Sequence, residues 1–146
     1  PYNSTKGMPI QPAGATGVKG TVEIEPEYVE GLQDVEEFSH IILLYHFHLS
    51  KGYSLKVTPF LDHDLHGVFA TRAPKRPNSI GLSIVKLIDI EDNILHVEDV
   101  DIIDGTPLLD IKPYVPVFDY RKTEKVGWLT EVMLKSMTAK ADERFE

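Results

Sequence analysis

Cysteine is absent from this 146-residue chain, and so are long apolar runs. The first absence excludes a disulfide scaffold, a thiolate metal site and a cysteine nucleophile. The second argues against a membrane-spanning helix, because the longest apolar run, residues 41–47, is far shorter than the roughly 18 residues that cross a bilayer. No segment resembles a signal peptide. We therefore expect a cytoplasmic protein that does not enter a membrane.

Positive charge is also scarce, since 23 acidic residues against 15 Lys and Arg give a net charge of −8. That sign is wrong for a protein that binds nucleic acid through its overall field. Any contact with RNA must therefore be local. The most compact basic group consists of Arg72, Lys75 and Arg76, which makes these residues the best candidates for binding an anion.

Short apolar segments separated by turn residues dominate the chain as far as residue 125, and this pattern predicts strands. Gly14, Gly17 and Gly20 do not form the Gly-x-Gly-x-x-Gly motif of a Rossmann fold, and there is no Walker-type phosphate loop. We predict a mainly β fold, either a barrel or a sandwich. The predicted strands are residues 21–24, 41–47, 54–59, 68–71, 81–88, 94–97, 100–103 and 108–111, with one short helical turn at residues 26–32.

Helical spacing is confined to residues 127–139. Leu129, Val132 and Met133 recur there at the spacing of one helical face. Such a face is more often a core or dimer contact than a cofactor site. We predict a C-terminal α-helix within residues 126–146 that packs on a domain of residues 1–125 or on a dimer partner.

Arginine, lysine and proline are concentrated in residues 72–78. Pro74 and Pro77 fix their own φ angles and push the preceding residues toward extended conformations, so the loop is stiff. A stiff loop presents Arg72 to a carboxylate or phosphate with little further loss of entropy. Asn78 is suited to shaping the turn. The alternative interpretation is a solvated basic loop between two strands.

Four aspartates lie close together between Asp99 and Asp110. If residues 100–103 form a strand, Asp99 and Asp101 share one face, and a carboxylate on that face can line a cavity. The alternative is a set of ordinary polar strand positions, in which Asp110 pairs with Lys112 on the surface.

The six histidines show no metal-binding spacing such as His-Glu-x-x-His. We therefore expect no metal. His46 and His48 alternate along a predicted strand and so share one face. We expect one of the two to reach a pocket and the other to be a wall residue.

Several of these segments together resemble the TsaA-like, or TrmO-like, family. The two longest matches are residues 67–81, GVFATRAPKRPNSIG, and residues 101–114, DIIDGTPLLDIKPY. Pro1 and Tyr2 resemble the end of the family's opening strand, which predicts missing residues upstream. The C-terminal helix stands where bacterial members have an extra domain, so the chain resembles a short form. Shorter matches are residues 9–12, 31–32, 38–40 and 47–48, within a resemblance that covers about residues 2–120.

The resemblance implies a single β-barrel methyltransferase that is not Rossmann-type and that forms a homodimer. Its cofactor would be S-adenosylmethionine, bound at or near the subunit interface. Its activity would be methylation of the N6 nitrogen of threonylcarbamoyladenosine next to the tRNA anticodon. The alternatives are a methyltransferase that acts on another RNA or a small molecule, and a non-catalytic RNA- or nucleotide-binding barrel.

Residue roles follow from the same resemblance. Ala13 replaces the glycine of bacterial members, and residues 98–100 replace their Gly-Ser-Leu, so contacts at these positions are expected from the backbone. The implied cofactor residues are Gln11, Pro12, Ala13, His48, Leu49, Arg72, Leu82, Glu98, Asp99, Val100 and Asp101.

The reaction also needs an acceptor for the proton of the target nitrogen, and Asp101 or Asp104 is expected to supply it. Cations near the active site are expected to contact tRNA phosphates in a salt-sensitive way. The candidate substrate residues are Lys75 and Arg76 at phosphates, and Asn78, Lys112 and Tyr114 around the modified base.

Overall fold

The computed structural model describes residues 2–133. Its strands are β1 (Lys19–Glu23), β2 (His40–His46), β3 (Lys56–Val57), β4 (His66–Gly67), β5 (Ile80–Glu91), β6 (Ile94–Glu98) and β7 (Leu108–Pro113). The main element is a five-stranded antiparallel sheet with the strand order β1-β6-β5-β2-β7, and β3 pairs with β4 in a separate small sheet. The predicted mainly β fold is confirmed, and the described residues contain no Rossmann-type parallel sheet.

Helical structure in the described residues is limited to single turns. One four-residue α-helix, α1 (Pro116–Asp119), follows β7. Five 3-10 turns complete the structure, and the second of them confirms the helical turn predicted at residues 26–32. The 3-10 turns are Pro12–Gly14, Pro26–Leu32, Val35–Glu37, Val68–Ala70 and Gly127–Glu131. None of these elements is long and apolar enough to cross a membrane.

The core lies along the pairing of β2 with β5. Ile41, Leu43 and Tyr45 alternate along β2 and are buried on one face. Leu43 lies opposite Ser83, and Tyr45 lies opposite Gly81. Truncation of a buried leucine such as Leu43 to alanine costs roughly 2 to 5 kcal/mol, so this face holds the sheet together.

The sheet is not closed into the single barrel that we predicted. Within residues 2–133 no strand pairing joins β1 to β7, and an open groove is lined by residues of both edge strands. A strand that closed the sheet would have to include residues 100–103. These residues contribute to strand pairing only an isolated bridge between Ile103 and Tyr2. The backbone turns at both ends of this segment, where Asp99 has a φ of 66° and Gly105 a φ of 74°.

Two other predicted strands are wrong or shorter than expected. Residues 68–71 form a 3-10 turn and its end, because the carbonyl group of Val68 accepts the N–H of Thr71 within the turn. Residues 54–59 shrink to the two-residue strand β3. Leu55 and Val57 alternate with polar neighbours and Val68 begins an apolar run, but Val57 and Val68 pack together in a small cluster instead of in a longer sheet.

That cluster lies in the long connection between β2 and β5, residues 47–79, which we call the insertion. Val57, Val68 and Ala73 form its buried centre, and Phe60 packs against them. The insertion therefore has a small core of its own, distinct from the core of the main sheet.

Trp128 joins the C-terminal segment to the insertion. Its indole Nε1 donates a hydrogen bond of 2.8 Å to the carbonyl oxygen of Ala70. Its ring stacks on the ring of His66, with centroids 4.7 Å apart. Only a 3-10 turn, Gly127–Glu131, is seen at the predicted C-terminal helix, and residues 134–146 lie outside the described residues. The division at residue 125 and a helical contact with a dimer partner stay predictions.

Candidate active site

Arg72 and Gln11 meet although 61 positions separate them. The Nη1 atom of Arg72 donates a hydrogen bond of 2.8 Å to the Oε1 atom of Gln11. The buried Thr71 precedes Arg72 and positions it. The Thr71 hydroxyl donates to the carbonyl of Val68 and accepts the N–H of Ala73. The turn therefore anchors both neighbours of Arg72, and the guanidinium group remains exposed to solvent.

The half-buried carboxylate of Asp101 lies near this pair. The hydroxyl of Ser83 donates a hydrogen bond of 2.6 Å to the Oδ1 atom of Asp101, and the Tyr45 hydroxyl lies 2.9 Å from the same serine oxygen. Burial raises the pKa of Asp101 to about 6, whereas the Ser83 hydrogen bond and the positive charge of Arg72 act in the opposite direction. A carboxyl group with such a pKa changes its protonation state close to neutral pH, as general bases do.

Two tyrosines flank Asp101. Burial, and then the charge of Asp101, raise the pKa values of Tyr2 and Tyr45. Tyr2 is held at this position because its carbonyl accepts the N–H of Asp104 at 2.7 Å. Sequence reasoning missed Tyr2, Tyr45 and Ser83 as site residues. The one available signal was Ser83, a polar residue in the inward-facing row of β5.

The residues just before Asp101 shape the backbone. The carboxylate of Asp99 accepts the N–H of Gly17 at 2.8 Å, and the N–H of Val100 donates to the carbonyl of Val18 at 3.2 Å. Glu98 ends β6 opposite Lys19. These hydrogen bonds hold the residues that precede Asp101 against the segment before β1, and they engage the Asp99 carboxylate. This agrees with the expectation that residues 98–100 offer their backbone, although the cofactor contacts themselves stay predictions.

The remaining predicted cofactor residues are spread over the surface. Pro12 and Ala13 belong to the turn that follows Gln11. His48 is half-buried, Leu49 is exposed, and both follow the end of β2. Leu82 is 51% exposed and alternates with Ser83, so it lies on the face of the sheet opposite to Asp101. One copy of the chain does not gather all of these residues around one cavity.

Arg76 makes its hydrogen bonds within its own loop. Its Nη1 atom lies 2.8 to 3.2 Å from the carbonyl oxygens of Val68, Thr71 and Ala73. Its guanidinium carbon lies 5.9 Å from the ring centroid of Phe69. Arg76 thus stabilises the turn that carries Arg72, a role that sequence reasoning did not foresee. Its predicted contact with tRNA phosphates, like those of Lys75 and Asn78, stays a prediction.

The last predicted substrate residues lie elsewhere. The Nζ atom of Lys112 pairs with the Oδ2 atom of Asp110 at 2.8 Å on the surface, as one of our alternatives predicted. Tyr114 packs edge-on against His40, with centroids 6.5 Å apart. His40 begins β2 and Tyr45 lies near its other end, which places Tyr114 roughly 17 Å along the strand from the Asp101 network. Asp104 is exposed and is not drawn into that network.

Two of the six histidines pair with a carboxylate: the Nε2 atom of His66 lies 2.7 Å from the Oδ2 atom of Asp62, and that of His96 lies 3.3 Å from the Oε2 atom of Glu91. In the part of the chain that the structure describes, no three His, Asp or Glu side chains are grouped as a metal ion requires. His46 is exposed and His48 is half-buried. The absence of a metal stays a prediction.

The fold and this site together define a class, namely a mainly antiparallel β protein with a half-buried carboxylate near an exposed arginine. The known proteins agree with the sequence resemblance. Residues 1–120 match the family described as the tRNA-methyltransferase O N-terminal domain. The chain belongs to that family.

Three similar proteins illustrate the match. A probable S-adenosyl-L-methionine-binding protein of Pyrococcus abyssi is 55% identical over 99% of this chain and 79% of its own length. A mouse tRNA (adenine(37)-N6)-methyltransferase is 41% identical over 77% of this chain and 28% of its own. The crystal structure of TrmO from Pseudomonas aeruginosa has a TM-score of 0.72 at 39% identity, over 87% of this chain and 56% of that one. This chain therefore spans about half of the Pseudomonas protein and less of the mouse protein.

Proposed function

We propose that this protein is an S-adenosylmethionine-dependent tRNA methyltransferase that modifies the N6 nitrogen of adenosine 37. We further propose that the adenosine already carries the threonylcarbamoyl group, as the family resemblance implies. The observation that carries the proposal is that Arg72 binds Gln11, 61 positions away, and lies close enough to Asp101 for its charge to lower the pKa of that carboxyl group. Its chemistry, an anion-binding group beside a carboxylate with a pKa near neutrality, suits methyl transfer coupled to loss of a proton.

The residues around Arg72 fit this cofactor. One Arg72 nitrogen is bound to Gln11, and the exposed guanidinium has further N–H groups for a carboxylate such as that of a bound amino acid. When bound, the cofactor supplies a methyl group already activated by a sulfonium. The protein therefore has to orient the acceptor nitrogen and exclude water. The other residues that would hold the cofactor are Pro12, Ala13, His48, Leu49, Leu82, Glu98, Asp99 and Val100.

Asp101 is the proposed proton acceptor. The acceptor nitrogen forms a bond to the methyl carbon as the bond from that carbon to sulfur breaks, and the N–H proton passes to the Asp101 carboxylate. The charges balance because a sulfonium and a carboxylate become a neutral thioether and a neutral carboxylic acid. Asp104, which is exposed and outside the network, is the weaker candidate.

A second copy of the chain completes the site in this proposal. Leu82, Ile80 and Leu49 are 51%, 48% and 50% exposed, which is unusual for aliphatic side chains beside an active site. Leu82 also faces away from Asp101 across the sheet. A homodimer would cover these side chains and bring Leu82 of one copy toward the arginine site of the other.

The insertion is the proposed tRNA-binding surface. Residues 47–79 contain five Lys and Arg and two Asp, whereas the rest of the chain contains ten Lys and Arg and twenty-one Asp and Glu. Tyr53 and Phe69 on the insertion are 64% and 75% exposed, as suits stacking on unpaired bases. The N–H of Ser54 donates to the carbonyl of Lys75, which brings Tyr53 close to this lysine. Local positive charge thus accounts for RNA binding by an acidic protein.

Two measurements test the proposed function. Calorimetry with S-adenosylmethionine should show binding, and purified protein should methylate a tRNA that carries threonylcarbamoyladenosine at position 37, as followed by nucleoside mass spectrometry. Matched tRNA with plain adenosine or with a cytidine at that position reports the acceptor. Binding without methylation of either adenosine would favour a methyltransferase for another substrate. No binding at millimolar cofactor would favour a non-catalytic barrel and overturn the proposal.

A further inference from the structure

Tyr45, Ser83 and Asp101 form a directed chain of hydrogen bonds. An ionised carboxylate only accepts, so the single proton of the Ser83 hydroxyl is used in the 2.6 Å bond to Asp101. The proton between Ser83 and Tyr45, whose oxygens are 2.9 Å apart, must then come from Tyr45. Tyr45 is 6% exposed and Ser83 is 1% exposed, so both hydroxyls are largely shielded from water.

The core gives no packing reason for these two hydroxyls. Ser83 occupies a row of β5 whose next members, Val85 and Leu87, are apolar and buried. A buried hydroxyl is unfavourable unless it is hydrogen-bonded, and an apolar residue of similar size would fit such a row without that requirement. The Ser83 hydroxyl is thus explained by its hydrogen bond to the Asp101 carboxylate, and the Tyr45 hydroxyl by its hydrogen bond to Ser83.

The surroundings of Tyr45 hold its ring in place. Gly81 lies opposite it, and a Cβ atom at position 81 would come within 2.9 Å of the Phe47 ring and would also collide with the Tyr45 ring. Phe47 packs edge-on against Tyr45, with centroids 5.5 Å apart. The missing side chain at Gly81 therefore provides the space in which the Tyr45 hydroxyl reaches Ser83.

We propose that Ser83 and Tyr45 are positioning residues that orient the Asp101 carboxylate and stabilise its ionised form for proton acceptance. The role in catalysis rests on the proposed function of Asp101. The stabilisation of the carboxylate does not, because it follows from the hydrogen-bond geometry alone.

The direction of the effect follows from the groups that face Asp101. Burial favours the neutral acid, while the Ser83 hydroxyl and the Arg72 charge favour the carboxylate. Tyr2 and Tyr45 are neutral in the relevant pH range because their own pKa values are raised. Removal of the Ser83 hydroxyl leaves burial opposed only by Arg72 and backbone contacts, so the pKa of Asp101 rises above its value of about 6.

The test compares Ser83→Ala and Tyr45→Phe with the unchanged protein. The carboxyl carbon of Asp101 is titrated by NMR in 13C-labelled protein, with Asp101→Asn to assign the signal, and kcat/KM is measured against pH with cofactor and tRNA. We expect Ser83→Ala to move both the NMR pKa and the acid limb of the rate profile upward by about one to two pH units. Tyr45→Phe should move both in the same direction by less. Ser39→Ala, an exposed hydroxyl at the far end of β2, should move neither.

The outcomes separate the two proposals. Unchanged NMR pKa values in both folded variants would overturn the positioning role, and so would a fall in rate that is uniform across pH. If Ser83→Ala unfolds, Tyr45→Phe, which keeps the ring, decides alone. If the NMR pKa values shift but Asp101→Asn keeps full turnover, the stabilising contact stands and the proposed role of Asp101 in the reaction is overturned.

Discussion

The main sheet and the insertion place their functional side chains in different environments. The sheet holds Asp101 half-buried next to Ser83 and Tyr45, where partial removal from water raises the pKa of the carboxyl group to about 6. The insertion does the opposite, because it keeps Arg72 and the aromatic rings of Tyr53 and Phe69 exposed to solvent. Burial changes the chemistry of a group, whereas exposure preserves its ability to meet a large partner. Substitutions in the two regions should therefore impair different properties, catalysis and stability in the sheet and tRNA binding in the insertion.

The largest effect is expected in the sheet, from Asp101→Asn. Loss of the proton acceptor should lower kcat by about 10²- to 10⁴-fold. The same variant should unfold less readily, since the pKa of Asp101 in the folded protein, about 6, lies above its usual value of 3.8. Ionisation therefore opposes folding, and the stability of the unchanged protein falls as pH rises from about 4 to about 6. Above that range the variant should gain roughly 1 to 3 kcal/mol in free energy of unfolding.

Urea unfolding at pH 4 and pH 8, together with single-turnover methylation, checks this prediction. Asp110→Asn is the control, because Asp110 is an exposed aspartate paired with Lys112. Equal stability changes for the two variants at pH 8 would contradict the burial argument.

Arg72→Ala, where the sheet and the insertion meet, should weaken binding of S-adenosylmethionine by about 10- to 100-fold, because a charge-assisted hydrogen bond is lost. The Gln11 amide then loses its partner and reorients. Calorimetry measures the affinity, with Lys86→Ala at the far end of the β2–β5 pair as the control. Wild-type affinity with wild-type turnover would remove Arg72 from the site.

In the insertion, Lys75→Ala should weaken tRNA binding about evenly across tRNA sequences and leave cofactor affinity unchanged. One phosphate contact fewer should reduce the slope of log K against log salt by about one unit. Binding titrations at several salt concentrations measure the slope, and Lys86→Ala should leave it as it was. A changed cofactor affinity would show that the sheet and the insertion do not act separately.

The smallest effect is expected from Trp128→Phe, which keeps a stacking ring on His66 and removes the hydrogen bond to Ala70. Stability should fall by about 0.5 to 1.5 kcal/mol. Thermal unfolding measures it, and Trp128→Ala, which removes the stacked ring as well, should cost more. Equal melting temperatures for all three proteins would show that Trp128 does not stabilise the insertion.

Prediction from sequence succeeded where a pattern depends on local periodicity. The strand predicted at residues 41–47 corresponds to β2 (His40–His46), because the burial of alternate residues follows from strand geometry. It failed at residues 68–71, where the cluster around Val68 and the contacts of Arg76 select a turn. The predicted single barrel is not confirmed within residues 2–133, since closure depends on whether distant edges meet.

The sequence alone determined the β character of the fold, the rigid basic loop at Arg72 and the family to which the chain belongs. These follow from residue types and from spacings along the chain. Only the tertiary structure decided that Arg76 stabilises its own loop, that Tyr114 lies far from Asp101, and that Ser83 and Tyr45 surround the carboxylate. The physical reason is that burial and hydrogen-bond partners depend on contacts between residues far apart in sequence, as in the pairing of Gln11 with Arg72.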